Sequence, residues 1–142
     1  MALSKEQKTR LLSGVDLFGA LGPKALGWIA AMATEVEFPT GRYIARQGEV
    51  GSGVFVIAQG KARVVRGDEE VTSFGPGDFF GELSVIDRAP RVANVVASEP
   101  TLCLAIAAWD FLALLDENPK LMKAVLLEVV ERLRATTEHI RH

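Results

Sequence analysis

Gly75-Pro76-Gly77-Asp78-Phe79-Phe80-Gly81-Glu82-Leu83-Ser84-Val85-Ile86-Asp87-Arg88-Ala89-Pro90-Arg91-Val92-Ala93-Asn94-Val95-Val96-Ala97-Ser98 is the stretch on which the reading of this chain turns. Gly75-Pro76-Gly77 predicts a tight turn, Phe79-Phe80 a short apolar piece, and Glu82 to Asp87 one or two helical turns. Pro90 stops any helix, and Val92 to Ala97 alternates like a strand. A helix beginning at Gly81-Glu82 offers backbone N–H groups without intrahelical acceptors, which suit a small anion. Gly81 lets backbone come close to such an anion, and Arg91 supplies a planar fork of donors that matches phosphate. Glu82 is an acceptor suited to a sugar hydroxyl. The set fits a phosphate joined to a ribose.

The run Phe80-Gly81-Glu82-Leu83 followed by Arg91-Val92-Ala93 resembles the phosphate-binding cassette of the cyclic-nucleotide-binding domain family. That family includes catabolite-activator-type transcription factors, regulatory subunits of cAMP-dependent kinases and cyclic-nucleotide-gated channels. The spacing from Gly81 to Arg91 is similar to that of the kinase and channel branch. The competing reading makes Gly75 and Gly77 hairpin glycines and Glu82 with Arg91 a surface ion pair of little worth.

Outward from the cassette, residues 36–107 are short β-type runs with glycine punctuation. Val36-Glu37-Phe38, Tyr43-Ile44-Ala45, Val54-Phe55-Val56-Ile57, Ala62-Arg63-Val64-Val65, Val71-Thr72-Ser73-Phe74 and Thr101 to Ile106 join the Val92 strand. Turn residues separate them, among them Pro39-Thr40-Gly41, Gln59-Gly60-Lys61 and Gly67-Asp68. Such spacing predicts an antiparallel sandwich or jelly roll. The ends are helical. Ser4 and Gln7 form a capping-box pattern for a helix to about Ser13, and Pro23 opens a second helix to about Ala33. Trp109 to Asp116 reads as a short helix. From about Lys120 a long helix follows, with Leu121, Met122, Val125, Leu126, Val129, Val130 and Leu133 on one apolar face and Lys123, Glu128, Glu131 and Arg132 at polar positions. So long a face suggests a lid or a dimer seam beyond simple packing on the roll.

Length and composition bound the function classes. The 142 residues, 49% hydrophobic and 24% charged, suit one globular domain with a real core. A formal charge of −2 gives no electrostatic reason to bind nucleic acid or an anionic membrane, and no apolar window is long enough for a spanning helix. Cys103 is the one cysteine and reads as a small buried apolar residue, so neither a disulfide nor a cysteine zinc set is expected. The first residues lack the apolar centre of a signal peptide, and the chain reads as cytoplasmic. A cupin-like metal enzyme needs inward histidines, whereas His139 and His142 are the two histidines and follow the roll. No enzymatic activity, metal or cofactor is expected.

The resemblance covers nearly the whole chain and implies a mainly β fold: an eight-stranded antiparallel jelly roll with N-terminal helices and two C-terminal helices. It implies a single cyclic-nucleotide-binding domain over residues 1–142, with a helical lead-in at 1–34, the roll at 35–107, the cassette at 77–93 and lid helices at 108–142. The lead-in would either cover the roll or meet a partner. The implied ligand is cAMP, with cGMP as the alternative. Arg91 would pair with the exocyclic phosphate oxygens, backbone N–H groups of Leu83, Ser84 and Val92 would complete the cradle, and Glu82 would accept from the ribose 2′-hydroxyl. Gly81 would give room, Ala93 would close the motif, and Val64 and Val71 would line the base pocket. Thr136 and Thr137 stand where that family's final helix meets the adenine and the partner subunit's ligand. A threonine or serine after the cassette arginine can bond guanine in this family, but Val92 stands there. No helix-turn-helix, kinase or channel segment follows the last helix, so signalling would pass to a protein partner or to an effector domain outside this chain, with a homodimer through that helix as a further expectation. The remaining alternative is a degenerate roll that serves as an interaction module and binds no nucleotide.

Overall fold

The computed structural model describes residues 2–140, and side chains through residue 135. Among the described residues the elements are α1 (Lys5–Ser13), α2 (Pro23–Met32), β1 (Thr34–Phe38), β2 (Tyr43–Ala45), β3 (Gly53–Gln59), β4 (Ala62–Arg66), β5 (Glu69–Phe74), β6 (Phe79–Phe80), α3 (Glu82–Asp87), β7 (Asn94–Ala97), β8 (Thr101–Ala107), α4 (Ala108–Glu117) and α5 (Pro119–Ile140). All strand pairs are antiparallel, in two four-stranded sheets ordered β1-β8-β3-β6 and β2-β7-β4-β5.

Strands β3 and β8 explain the layering. Their sequences, Gly53-Val54-Phe55-Val56-Ile57-Ala58-Gln59 and Thr101-Leu102-Cys103-Leu104-Ala105-Ile106-Ala107, are almost continuously apolar, as expected of strands covered on both faces. Val54, Val56, Leu104 and Ile106 face a core shared with the helices. Phe55, Ile57 and Cys103 face a second core inside the roll, with Ile44, Ala62, Phe80 and Val95. Successive side chains on a strand point to opposite sides, so one run feeds two cores. Inside the roll, Phe55, Phe80 and Phe74 form a run of stacked rings with centroids 5.4 and 5.2 Å apart.

The N-terminal helices, α4 and the first turns of α5 meet on the outer core. The capping box is present as expected, Ser4 Oγ accepting from the Gln7 N–H while the Gln7 side chain accepts from the Ser4 N–H. Leu12 of α1, Val15 and Phe18 of the connecting segment, Ile29 of α2 and Phe111 of α4 are completely buried there. The final helix is attached through its first turns, where Leu121 and Val125 are buried. Beside and beyond them its apolar residues are largely exposed: Met122, Leu126, Val129 and Leu133 are 39–64% exposed.

One strand begins later than the alternation of Val92 to Ala97 suggested. Val92 and Ala93 lie outside β7, which starts at Asn94. The chain there is held instead by the loop at residues 48–50.

Phe111 joins α4 to the core beneath β3 and β8, so Phe111→Ala should cost about 3–5 kcal/mol of unfolding free energy, read by urea denaturation. A loss below about 1 kcal/mol would show that α4 does not help to hold the layers together.

Candidate functional site

The cassette is a knot of backbone around the start of β3. Gly81 caps α3 with φ +97°, and a Cβ there would lie 2.6 Å from the Gly53 carbonyl oxygen and 3.1 Å from Nη1 of Arg91. Only glycine combines that backbone with that approach. Ser84 Oγ accepts from the Gly51 N–H at 2.9 Å and donates to the Ala89 carbonyl at 2.6 Å, so one hydroxyl ties helix, incoming loop and outgoing loop. The Arg91 N–H donates to the Glu49 carbonyl and the Gly48 N–H to the Arg91 carbonyl, both at 2.8 Å.

These contacts aim Arg91 inward. Its Nη2 donates to the Gly53 carbonyl at 3.3 Å, and the guanidinium lies 6.0 Å from the Phe55 ring centroid. Burial pulls the guanidinium below its ordinary pKa, opposed by Glu82 and Glu49. An arginine starts so high that it stays charged. A cation weakly supported by one carbonyl, next to a helix whose first N–H groups have no intrahelical acceptor, has the chemistry that an oxyanion would need.

Glu82 is the second feature. Its side chain is 1% exposed, and Oε1 accepts from Nη2 of Arg132 on α5 at 3.2 Å, while Oε2 is buried with no hydrogen-bond partner. Glu82 therefore does not form the surface ion pair with Arg91 that the simpler reading required: it is buried, and its partner comes from the last helix. The same Nη2 lies 3.2 Å from Oε2 of Glu128, whose Oε1 is also buried and without a partner. Burial first, and then the charge of Glu82, push the Glu128 carboxyl up to about 7, against the pull of Arg132. Sequence reading placed Glu128 and Arg132 on the polar side of α5 and missed both. Their spacing of four marks one helix face, but nothing local connects that face to a glutamate 46 to 50 residues earlier.

The other expected residues are placed less uniformly. Leu83, Ser84 and Ala93 are half-buried around the cassette, and Val92 is 67% exposed. Val64 packs against the inner core, while Val71 is 51% exposed on β5. A bulge follows Val64, whose cross-strand neighbour is Thr72, so Val71 does not stand opposite it. The side chains of Thr136 and Thr137 lie outside the described residues. Beside the cluster, a groove of about 1000 Å³ runs between α5, the segment after α1 and the turn at residues 76–79, with Glu128 and Arg132 in its wall. Gly81, Glu82 and Arg91 are not part of that wall. Among the described residues, no helix is long and apolar enough to cross a membrane, and no group of three or more His, Cys, Asp or Glu is placed to hold a metal ion.

Comparison with known proteins bears on the family and the fold. A cyclic AMP receptor protein of Thermus thermophilus is 34% identical over 128 residues, covering 87% of this chain and 59% of its own. A cyclic nucleotide-gated potassium channel of Rhizobium etli is 35% identical over 123 residues, 87% of this chain and 34% of its own. The chain thus spans about three fifths of the first relative and a third of the second. The crystal structure of the Thermus thermophilus catabolite activator protein superposes with a TM-score of 0.81 at 32% identity, covering 89% of this chain and 62% of that one. The two-sheet roll with flanking helices is the fold they share. Residues 35–118, more than half of the chain, match the profile of the family described as cyclic nucleotide-binding domain, and the chain belongs to that family.

Proposed function

We propose that this chain is a cyclic nucleotide sensor that takes cAMP in preference to cGMP, closes α5 on the ligand, and signals through a protein partner or an effector domain outside the chain. The observation that carries it is the pairing, within one cassette, of the inward guanidinium of Arg91 with the buried Oε2 of Glu82, which lacks a donor. A cyclic phosphate brings the anion for the first and a ribose 2′-hydroxyl the donor for the second. Leu83, Ser84 and Val92 would add backbone N–H groups, with Gly81 and Ala93 leaving room beside them. Val64 and Val71 would border the base, and Thr136 and Thr137 would meet it from α5. The unit would comprise the lead-in at 1–34, the roll at 35–107 and the helices at 108–142. Its relatives are regulators and channels by name, which favours binding over catalysis. We place it in the cytoplasm, bound to neither nucleic acid nor membrane. Met122, Leu126 and Val129, spaced by four and three residues and exposed, suit a homodimer through α5.

Calorimetric titration with cAMP tests the reading directly, since a silent scaffold gives no binding heat and an enzyme gives turnover. Arg91→Ala should weaken cAMP binding at least about thirtyfold, because the phosphate charge loses its desolvated partner. A folded variant that binds within about threefold of the unaltered chain removes Arg91 from the site.

A ligand shifts α5 only through contacts it makes better in the closed state. The helix is rooted by apolar burial at Leu121 and Val125 and held beyond them through Glu128 and Arg132, so its distal turns are the part that a ligand at Glu82 would reach. Amide exchange in residues 126–135 should slow on addition of cAMP; unchanged protection would sink the lid.

Base choice should turn on Val92, which offers no hydrogen bond to a guanine amino group. Burying that group without recompense costs about 1–3 kcal/mol, so cAMP should bind about tenfold more tightly than cGMP. Val92→Thr should narrow the gap by improving cGMP, read in competition titrations. Equal affinities in the unaltered chain would move base selection elsewhere.

A further inference from the structure

We infer that Glu128 is a positioning residue of the nucleotide site: it shares one proton with Glu82, and the ribose hydroxyl displaces it, so that ligand binding releases that proton. The inference rests on the nucleotide reading above and names a regulation of the same site.

Geometry carries it. Two carboxylates, one 1% and the other 16% exposed, meet a single guanidinium nitrogen at 3.2 Å each. Each keeps a second oxygen, Oε2 of Glu82 and Oε1 of Glu128, that is buried and has no partner. Ionised carboxylates only accept, so two of them side by side cannot satisfy each other. One proton resolves both: the protonated carboxyl donates and the other accepts. Like charges brought together hold such a proton well above the ordinary range.

The surroundings say which member carries it. Glu128 faces Glu82 from α3 and, on its own helix, Arg132 and Glu131. Around the adjoining groove stand Lys120, Lys123, Asp16 and Asp78. Burial and the two glutamates outweigh Arg132, raising Glu128 from 4.5 to about 7. Glu82 lies deeper, and its Oε1 is already bonded to Arg132, which leaves its Oε2 as the acceptor toward Glu128.

The nucleotide competes for that acceptor. A 2′-hydroxyl donating to Oε2 of Glu82 takes the place of the Glu128 hydroxyl; the displaced carboxyl turns into the adjoining groove, where hydration removes the burial that raised it, and its proton goes to solvent. Free protein therefore holds one more proton than the complex between pH 4.5 and about 7. Affinity should rise with pH through that window and level off above it. With one proton released, cAMP should bind about twentyfold more tightly at about pH 8 than at about pH 5.5.

Glu128→Gln is the deciding variant, because its amide donates to Glu82 at every pH and cannot titrate. Its cAMP affinity should be flat with pH and lie near the weak, low-pH value of the unaltered chain. A pH slope that survives in Glu128→Gln, or a flat profile in the unaltered chain, overturns the linkage. A second measurement needs no nucleotide. Since the folded-state value of Glu128 is raised, folding takes up a proton, and the stabilisation this brings is lost as pH rises through the window. The melting temperature of the unaltered chain, relative to Glu128→Gln, should fall from about pH 5 to about pH 8. A constant difference overturns the shared proton itself. No cAMP binding at any pH overturns the sensor reading and the linkage with it, while the melting curves still decide the proton.

Discussion

The cassette of this molecule is built against the first residue of one strand. Gly53 begins β3, and its carbonyl oxygen both accepts from Arg91 and lies against Gly81. From there β3 runs between two cores, with Val54 and Val56 on the helical side and Phe55 and Ile57 inside the roll. A strand buried on both faces cannot shift by one residue without exchanging its two apolar sets, so its register is held from both sides. The start of β3 is therefore a rigid reference point. The candidate site is assembled against it from the cap of α3 and the loops on either side of it.

That rigidity lets the site hold polar groups in unfavourable states. Glu82 is a carboxylate removed from water, and such burial costs several kcal/mol unless partners compensate. Arg132 compensates only in part, because the same nitrogen also serves Glu128 and the guanidinium is 55% exposed. The cassette backbone, stitched by Ser84, keeps Glu82 from turning out to solvent. A ligand that brings one hydroxyl donor and one anion would relieve both tensions together.

Much of this was legible in the sequence, for local reasons. The cassette is contiguous, and Gly81, Glu82 and Pro90 each impose their geometry within a few residues; α3 spans Glu82–Asp87 as read. The two-sided burial of β3 and β8 shows in their unbroken apolar runs, and Ser4 and Pro23 mark their helices. Val92 misled because its alternation with Asn94 and Val96 is strand-like, whereas the hydrogen bonds of the neighbouring Arg91 go to Gly48 and Glu49. Glu128 and Arg132 were invisible as site residues for a different reason. On a helix, a polar face predicts water, and only the tertiary path of α5 brings that face over α3.

The attachment of α5 follows from this division of labour. Its first turns are held by apolar burial at Leu121 and Val125, which no small ligand addresses. Its middle is held at Glu128 and Arg132 by charge and hydrogen bonds to a residue that a ribose would claim. Apolar contact is insensitive to protons and anions, while a shared proton between carboxylates answers to both. A helix anchored by the first and latched by the second would pivot without detaching. The apolar residues beside the latch, Leu126 and Val129, would then be the surface whose direction a ligand sets. Sensing and signalling would thus lie on the same two turns of helix, the polar face reading the cassette and the apolar face presenting the result.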